Sequence, residues 1–243
     1  MSNVYFAQPW GGLGDNLQFT TLPRLFNEKG IDFYLSVQNT YRNPEIYDFC
    51  WKDNPYVKGI AKNGPNVGSL APDLPHGVTD NIVSAAEIRH GFDGDGRYPE
   101  IYYEAEILEE YRDNTIVDLS AHTLLKNNVG EFYDADKLFS LVGESVPDDA
   151  LFVSFKNVNS LSLAGGFPFE QNELVIESIF QYANIIHSCK RYFCLYSGGN
   201  SMAAAVKYKC KSEVELNCFL HGTVQEHKDK GFFIFDNVNY IEV

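Results

Sequence analysis

The sequence predicts an α/β protein made of two Rossmann-like halves. Three observations carry that expectation. A short β-forming run, Val4–Ala7, leads into a glycine loop at Gly11, Gly12 and Gly14, and then into apolar residues at helical spacing. A second unit of the same kind begins at Thr115, with a strand over Ile116–Leu119. Farther on, a strand over Tyr192–Tyr196 runs straight into Ser197-Gly198-Gly199-Asn200-Ser201 and an alanine-rich helix. Strand, small-residue loop, helix is the repeated plan of a doubly wound fold.

Taken in order, Leu17, Leu22, Leu25 and Phe26 give Asn16–Glu28 a helical period, and Pro23 marks a kink or a helix start. Ile31–Val37 reads as the next strand. Between residues 38 and 100, proline and glycine punctuate the chain, and short strands are expected near Val57–Ile60 and Asn81–Val83. The spacing of Ile101, Ala105, Ile107 and Leu108 predicts a helix over Ile101–Tyr111, and Arg112–Asn114 reads as a linker. The expected domains are therefore 1–113 and 114–243. The second half continues with a helix over Asp136–Val142, a strand over Leu151–Phe155 and a single helix over Glu173–Ser188. A helix over Met202–Tyr208 and strands near Val214–Leu216 and Phe232–Phe235 complete it.

The totals bound the function classes. A chain of 243 residues with 44% hydrophobic and 21% charged residues builds an ordinary globular core. The net charge of −14 and the lack of a Lys/Arg-rich run disfavour a nucleic-acid partner. The five cysteines have irregular spacing and no CxxC pair, so no metal site is expected. The opening MSNVYFAQPWGG has no basic segment followed by an apolar run, and no apolar stretch reaches about 18 residues. These features predict a cytoplasmic chain with free thiols and no transmembrane segment, and they leave peripheral membrane contact open. The 18 Phe and 15 Tyr fill cores and also offer stacking surfaces for sugars and bases.

Three constellations are candidates for chemistry. In Gly11-Gly12-Leu13-Gly14-Asp15-Asn16, the glycines Gly12 and Gly14 let a ligand approach the backbone, although the frame is not G-x-G-x-x-G. Asp15 reads either as a helix cap or as a general base for an acceptor hydroxyl. Ser197, Gly198, Gly199, Asn200 and Ser201 precede a helix, where backbone N–H groups and small hydroxyls suit a diphosphate. Ser120, His122 and Lys126 follow a strand at its carboxyl end, where Lys126 suits phosphate and His122 suits phosphate or a sugar hydroxyl; a plain solvated loop is the other reading. There is no G-x-S-x-G elbow and no P-loop.

Four segments together resemble the heptosyltransferase-like family of bacterial glycosyltransferases: GGLGDNLQFTTLPRLF, DNPYVKGI, TIVDLSAHTLLK and IIHSCKRYFCLYSGGNSMAAAV. The resemblance implies two Rossmann-like domains facing a cleft (the GT-B architecture), here with a reduced N-terminal half. The first domain would be on the acceptor side and the second would bind the nucleotide-sugar. It implies inverting transfer from a nucleotide-sugar co-substrate to a glycan or other hydroxyl acceptor, with no required cofactor or metal. By position, Asp15 matches the family's base, Lys126 its phosphate-contacting lysine, and Ser197 and Gly198 its donor loop. Tyr196 stands where the family usually has Asp, and Ser201 where it often has His. Those departures keep two alternatives open. One is a non-catalytic nucleotide- or sugar-binding protein of this fold; the other is a glycosyltransferase acting on modified nucleic acid.

Overall fold

The structure, a computed structural model, describes residues 2–8, 10–62, 66–68, 77–120, 133–156 and 172–243. The chain divides into two compact units, Met1–Tyr103 with Lys228–Ile234, and Glu104–His227 with Phe235–Val243. The division thus lies at Tyr103/Glu104, upstream of the linker read from the sequence, and a late segment rejoins the first unit.

In the first unit, β1 (Ser2–Ala7) is followed by α1 (Leu13–Leu17), α2 (Leu22–Glu28) and β2 (Ile31–Ser36). Then come α3 (Pro44–Tyr47), a π-helical turn (Asp48–Lys52), β3 (Val57–Ala61), β4 (Asn66–Gly68) and α4 (Ile82–Arg89). The sheet order is β3-β2-β1-β4, and every pair is parallel. Strand periodicity turns Val4 and Phe6 into the core, in register with Phe33 and Leu35. Phe6 packs against Phe19 at 5.0 Å and Trp51 at 6.1 Å between ring centroids. The helical stretch expected over Asn16–Glu28 is two helices. A tight turn separates them, in which the Thr20 hydroxyl donates to the Leu17 carbonyl (2.8 Å). Pro23 sits in the first turn of α2, where its missing N–H leaves no bond unmade. The strand expected at Asn81–Val83 is instead the start of α4. Asn81 caps it by accepting the Val83 N–H at 2.8 Å, and a cap overrides the β-branched run that follows.

In the second unit, β5 (Thr115–Asp118) is followed by α5 (Ala135–Ser145), β6 (Leu151–Phe155), β7 (Asn172–Ile176), α6 (Ile179–Ser188) and β8 (Arg191–Leu195). The chain continues through α7 (Gly198–Cys210), β9 (Glu215–Leu220), α8 (Val224–Asp229) and β10 (Asn239–Glu242). The sheet is parallel throughout, in the order β10-β9-β8-β5-β6-β7. Its core gathers Val117, Leu119, Phe152, Phe193, Leu195 and Phe219 under Leu138 and Val142 of α5.

Three further sequence expectations fail. Only Glu109–Tyr111 forms a helical turn within Ile101–Tyr111. The residues before it run extended because side chains of α6 take their N–H groups: Glu106 donates to Asn184 Oδ1 (3.0 Å) and Leu108 to Ser188 Oγ (2.7 Å). The helix expected over Glu173–Ser188 is strand β7 followed by α6, whose cap Ser178 accepts the Gln181 N–H at 3.0 Å. Phe232–Phe235 is not a strand: the Phe232 carbonyl accepts the Ile82 N–H (3.0 Å) within the first unit, and the closing strand is β10. All five cysteines are free thiols, and among the described residues no helix is long and apolar enough to cross a membrane.

Candidate functional site

In each sheet, interior strands run into loops that the sequence singles out: β1 before Gly12 and Asp15, β5 before Ser120 and β8 before Ser197. In the first unit, Gly12 is the cap residue of α1, and its N–H donates to Asp15 Oδ2 at 3.1 Å. Asp15 is thus the third residue of α1 and not its N-cap; its carboxylate reaches back to the N–H of the cap residue, which is half of a capping box, since glycine has no side chain to return the bond. Gly14 lies in the same helical turn and accepts the Gln18 N–H at 3.2 Å. Asn16 anchors the loop from beneath. Its amide donates to the Gly12 carbonyl (2.8 Å), and its Oδ1 accepts the indole N–H of the buried Trp51 (3.0 Å). Burial raises the Asp15 carboxyl above its ordinary range, and the Gly12 N–H and the Arg42 guanidinium partly offset that. Arg42 comes from the loop after β2 and was not singled out in the sequence. Its N–H donates to the Gly11 carbonyl at 2.9 Å, which ties the two loops together. A partly buried carboxylate beside an arginine suits a proton acceptor.

In the second unit the strand order reverses at β5. From β5 the chain steps outward through β6 and β7, then returns to place β8, β9 and β10 on the opposite side. This is the Rossmann order; sheets of this order bind ligands outside the carboxyl ends of the two strands that flank the reversal, which here are β5 and β8. Residue Ser120 follows β5, and Ser197-Gly198-Gly199 follow β8. Ser197 caps α7, accepting the Gly199 N–H at 3.2 Å, so the expected loop Ser197–Ser201 is the cap and first turn of that helix. The positive dipole end of the helix suits an anion. Asn200 and Ser201 of that first turn are fully buried. His122 and Lys126 lie outside the described residues.

A buried polar group that was not singled out in the sequence joins the end of β5 to α6 and β8. Asp118, the last residue of β5, is buried. Its Oδ1 accepts the Ser120 N–H (2.8 Å), and its Oδ2 accepts from the Tyr182 hydroxyl, which in turn accepts from Tyr192. A Cβ on Gly199 would lie 3.0 Å from Asp118 Oδ2, so the start of α7 rests directly on this carboxyl. Burial raises the Asp118 carboxyl, and the Tyr182, Ser120 and Tyr192 groups counter it. Beside the same edge, Tyr196 packs on His227 (4.6 Å) and His221 (5.6 Å), and the His227 ring nitrogen meets the His221 carbonyl at 2.8 Å. Tyr196 is thus a member of an aromatic group after β8 and β9. Among the described residues, no three His, Cys, Asp or Glu side chains gather as metal ligands would.

No protein-family model and no curated protein matches the chain. Solved structures do match. The chain is similar to the iron-containing dodecameric glycosyltransferase TibC from enterotoxigenic E. coli H10407, with a TM-score of 0.60 and 10% identity, over 98% of this chain and 63% of that one. It is similar to a family 9 glycosyl transferase from Veillonella parvula DSM 2008, with a TM-score of 0.59 and 9% identity, over 100% of this chain and 85% of that one. It is also similar to the ADP-heptose LPS heptosyltransferase II of E. coli, with a TM-score of 0.56 and 11% identity, over 99% of this chain and 90% of that one. The chain spans less than two thirds of the length of the TibC structure. It therefore shares the α/β fold of heptosyltransferases and family 9 glycosyltransferases, the fold that its motifs resemble.

Proposed function

We propose that this chain is a GT-B glycosyltransferase that moves a sugar from a nucleotide-sugar donor to an acceptor hydroxyl, inverting and without a metal. The observation that carries the reading is a coincidence of fold and position. In a chain with the heptosyltransferase fold, the strand-order reversal falls where the sequence sets Ser120 and Ser197-Gly198-Gly199. On this reading the second unit takes the donor, and the first unit supplies the acceptor site and the base.

The donor diphosphate lies against the first backbone N–H groups of α7, which match its charge and add the helix dipole. The Ser197 hydroxyl and the loop carrying Ser120, His122 and Lys126 complete its contacts. Asp15 accepts the proton of the acceptor hydroxyl as that oxygen attacks the anomeric carbon opposite the nucleotide. The carbon–oxygen bond to phosphate breaks, its electron pair leaves with the nucleoside diphosphate, and the anomeric configuration inverts. The missing Cβ of Gly12 leaves room for the Asp15 carboxylate.

Two measurements test the reading. A thermal-shift screen with UDP, GDP, ADP, CMP and dTDP should give one selective hit. At 100-fold above its dissociation constant, a ligand stabilises by about 2.7 kcal/mol. Asp15→Asn should keep that nucleotide binding and lose transfer by about 100-fold or more. Transfer at the parent rate in a folded Asp15→Asn protein would remove the base assignment. The capping bond of Asp15 to Gly12 supports a second reading, a non-catalytic nucleotide-binding protein of this fold, in which the carboxylate only caps α1. Nucleotide binding with no turnover over a broad panel of donors and acceptors would select it.

A further inference from the structure

Trp10 stands at the carboxyl end of β1, an interior strand of the first sheet, five positions before Asp15. Its side chain is 46% exposed, whereas the other tryptophan, Trp51, is completely buried. The backbone at Trp10 is held by the side chain of Gln8. Gln8, only 1% exposed, commits both ends of its side-chain amide to that one residue: Oε1 accepts the Trp10 N–H and Nε2 donates to the Trp10 carbonyl. Gln8 is itself fixed from the loop after β2, where its N–H donates to Asn39 Oδ1 and its carbonyl accepts the Thr40 N–H (3.4 Å). The turn between Trp10 and Asp15 is equally tight, since a Cβ on Gly11 would lie 2.8 Å from the Arg42 backbone nitrogen.

A buried glutamine thus holds the backbone that presents an exposed indole. A rigid aromatic surface needs little ordering when a ligand lands on it, so little of the contact energy is lost. The indole face carries negative potential and attracts the polarised C–H bonds on one face of a pyranose ring. We infer that Trp10 is the platform on which the acceptor's sugar ring stacks, so that the acceptor is a pyranoside and its hydroxyl is presented to the loop that carries Asp15. This rests on the proposed glycosyltransferase function and assigns the acceptor class to its first unit.

The test uses the full chain and acrylamide quenching of tryptophan fluorescence, which reports Trp10 because Trp51 is buried. The probes are the methyl glycosides of glucose, galactose and mannose, with lactose and cellobiose, and glycerol as the control. At least one pyranoside should protect Trp10 saturably. By calorimetry, Trp10→Phe should keep that binding and Trp10→Ala should weaken it about tenfold or more. Both variants should keep the nucleotide-induced thermal shift. The inference is overturned if no pyranoside protects Trp10, or if Trp10→Ala binds as the parent does. It is also overturned if Trp10 is shielded without sugar in proportion to protein concentration, which would mean that a second copy covers it. Nucleotide binding with no sugar protection overturns the Trp10 platform alone. Sugar protection with no nucleotide binding overturns the transferase reading and leaves a sugar-binding surface.

Discussion

At Asp15, burial pulls the carboxyl up while the Gly12 N–H and Arg42 pull it down, and the balance depends on a narrow fit. Gly12 has φ −74° and ψ 158°, a conformation open to any residue, yet a Cβ there would lie 2.6 Å from Asp15 Oδ2. Gly12→Ala should therefore leave the backbone alone and displace the carboxylate. The expected result is a loss of about 10- to 100-fold in kcat for transfer, with stability in urea within about 1 kcal/mol of the parent. Asp118 offers a test by pH. Its carboxyl is raised above its ordinary value of 3.8, so it gives up its proton at higher pH in the folded chain than in the unfolded one. Its contribution to stability is complete below the ordinary value and is lost as pH rises through the raised one. Asp118→Asn never ionises, so from about pH 4 upward its stability should gain on the parent's. Urea titrations at stepped pH check the sign, and a gap that does not change with pH would refute the assignment. The glycine loop and Asp15 were legible as residue types at a strand end. Arg42 and Asp118 were not, because nothing in their own neighbourhoods marks them; Asp118 meets Tyr182 across 64 positions of sequence.

At the scale of elements, capping decided what apolar spacing left ambiguous. Leu174, Ile176 and Ile179 fit a helical period, but Ser178 and Gln181 form a cap signature, and the chain turns there from β7 into α6. That signal was present in the sequence and outweighs the period. The stretch before Glu109 is a different case. Its helical spacing is real, yet Asn184 and Ser188 of α6 take its N–H groups, and no local rule predicts that. Helix α7 gives the sharpest prediction at this scale. Replacing glycine by alanine within a helix ordinarily stabilises by roughly 0.5–1 kcal/mol. At Gly199 the new Cβ would lie 3.0 Å from Asp118 Oδ2, 3.0 Å from the Tyr192 hydroxyl and 3.2 Å from the Tyr182 hydroxyl. Gly199→Ala should instead destabilise by about 1–3 kcal/mol in urea denaturation. A gain in stability would show that the carboxyl–phenol group does not support the start of α7.

At the scale of the molecule, the late segment Lys228–Ile234 belongs to the first unit although the chain around it builds the second. Asn81 is central to that return. It caps α4 and also donates to the carbonyls of Ile234 (2.7 Å) and Arg97 (3.1 Å), while the Gly77 N–H reaches the Asp229 carbonyl (3.0 Å). Asn81→Ala removes the cap and leaves two carbonyls without this donor, at a cost of about 2–3 kcal/mol. Limited trypsin digestion should then cut faster at Lys228 and Lys230, and an unchanged cleavage pattern would show that the segment is held by other means. What the sequence determined by itself was local: strands followed by glycine or serine turns and helices, the residues at the strand ends, and the free cysteines. Each follows from steric preference and periodicity within a few residues. Only the tertiary structure decided the strand order, the return of 228–234 to the first unit, and the placing of Arg42 beside Asp15 and of Asp118 beneath Gly199. Those depend on which distant surfaces bury each other best, and that free energy belongs to the packed chain, not to any one segment.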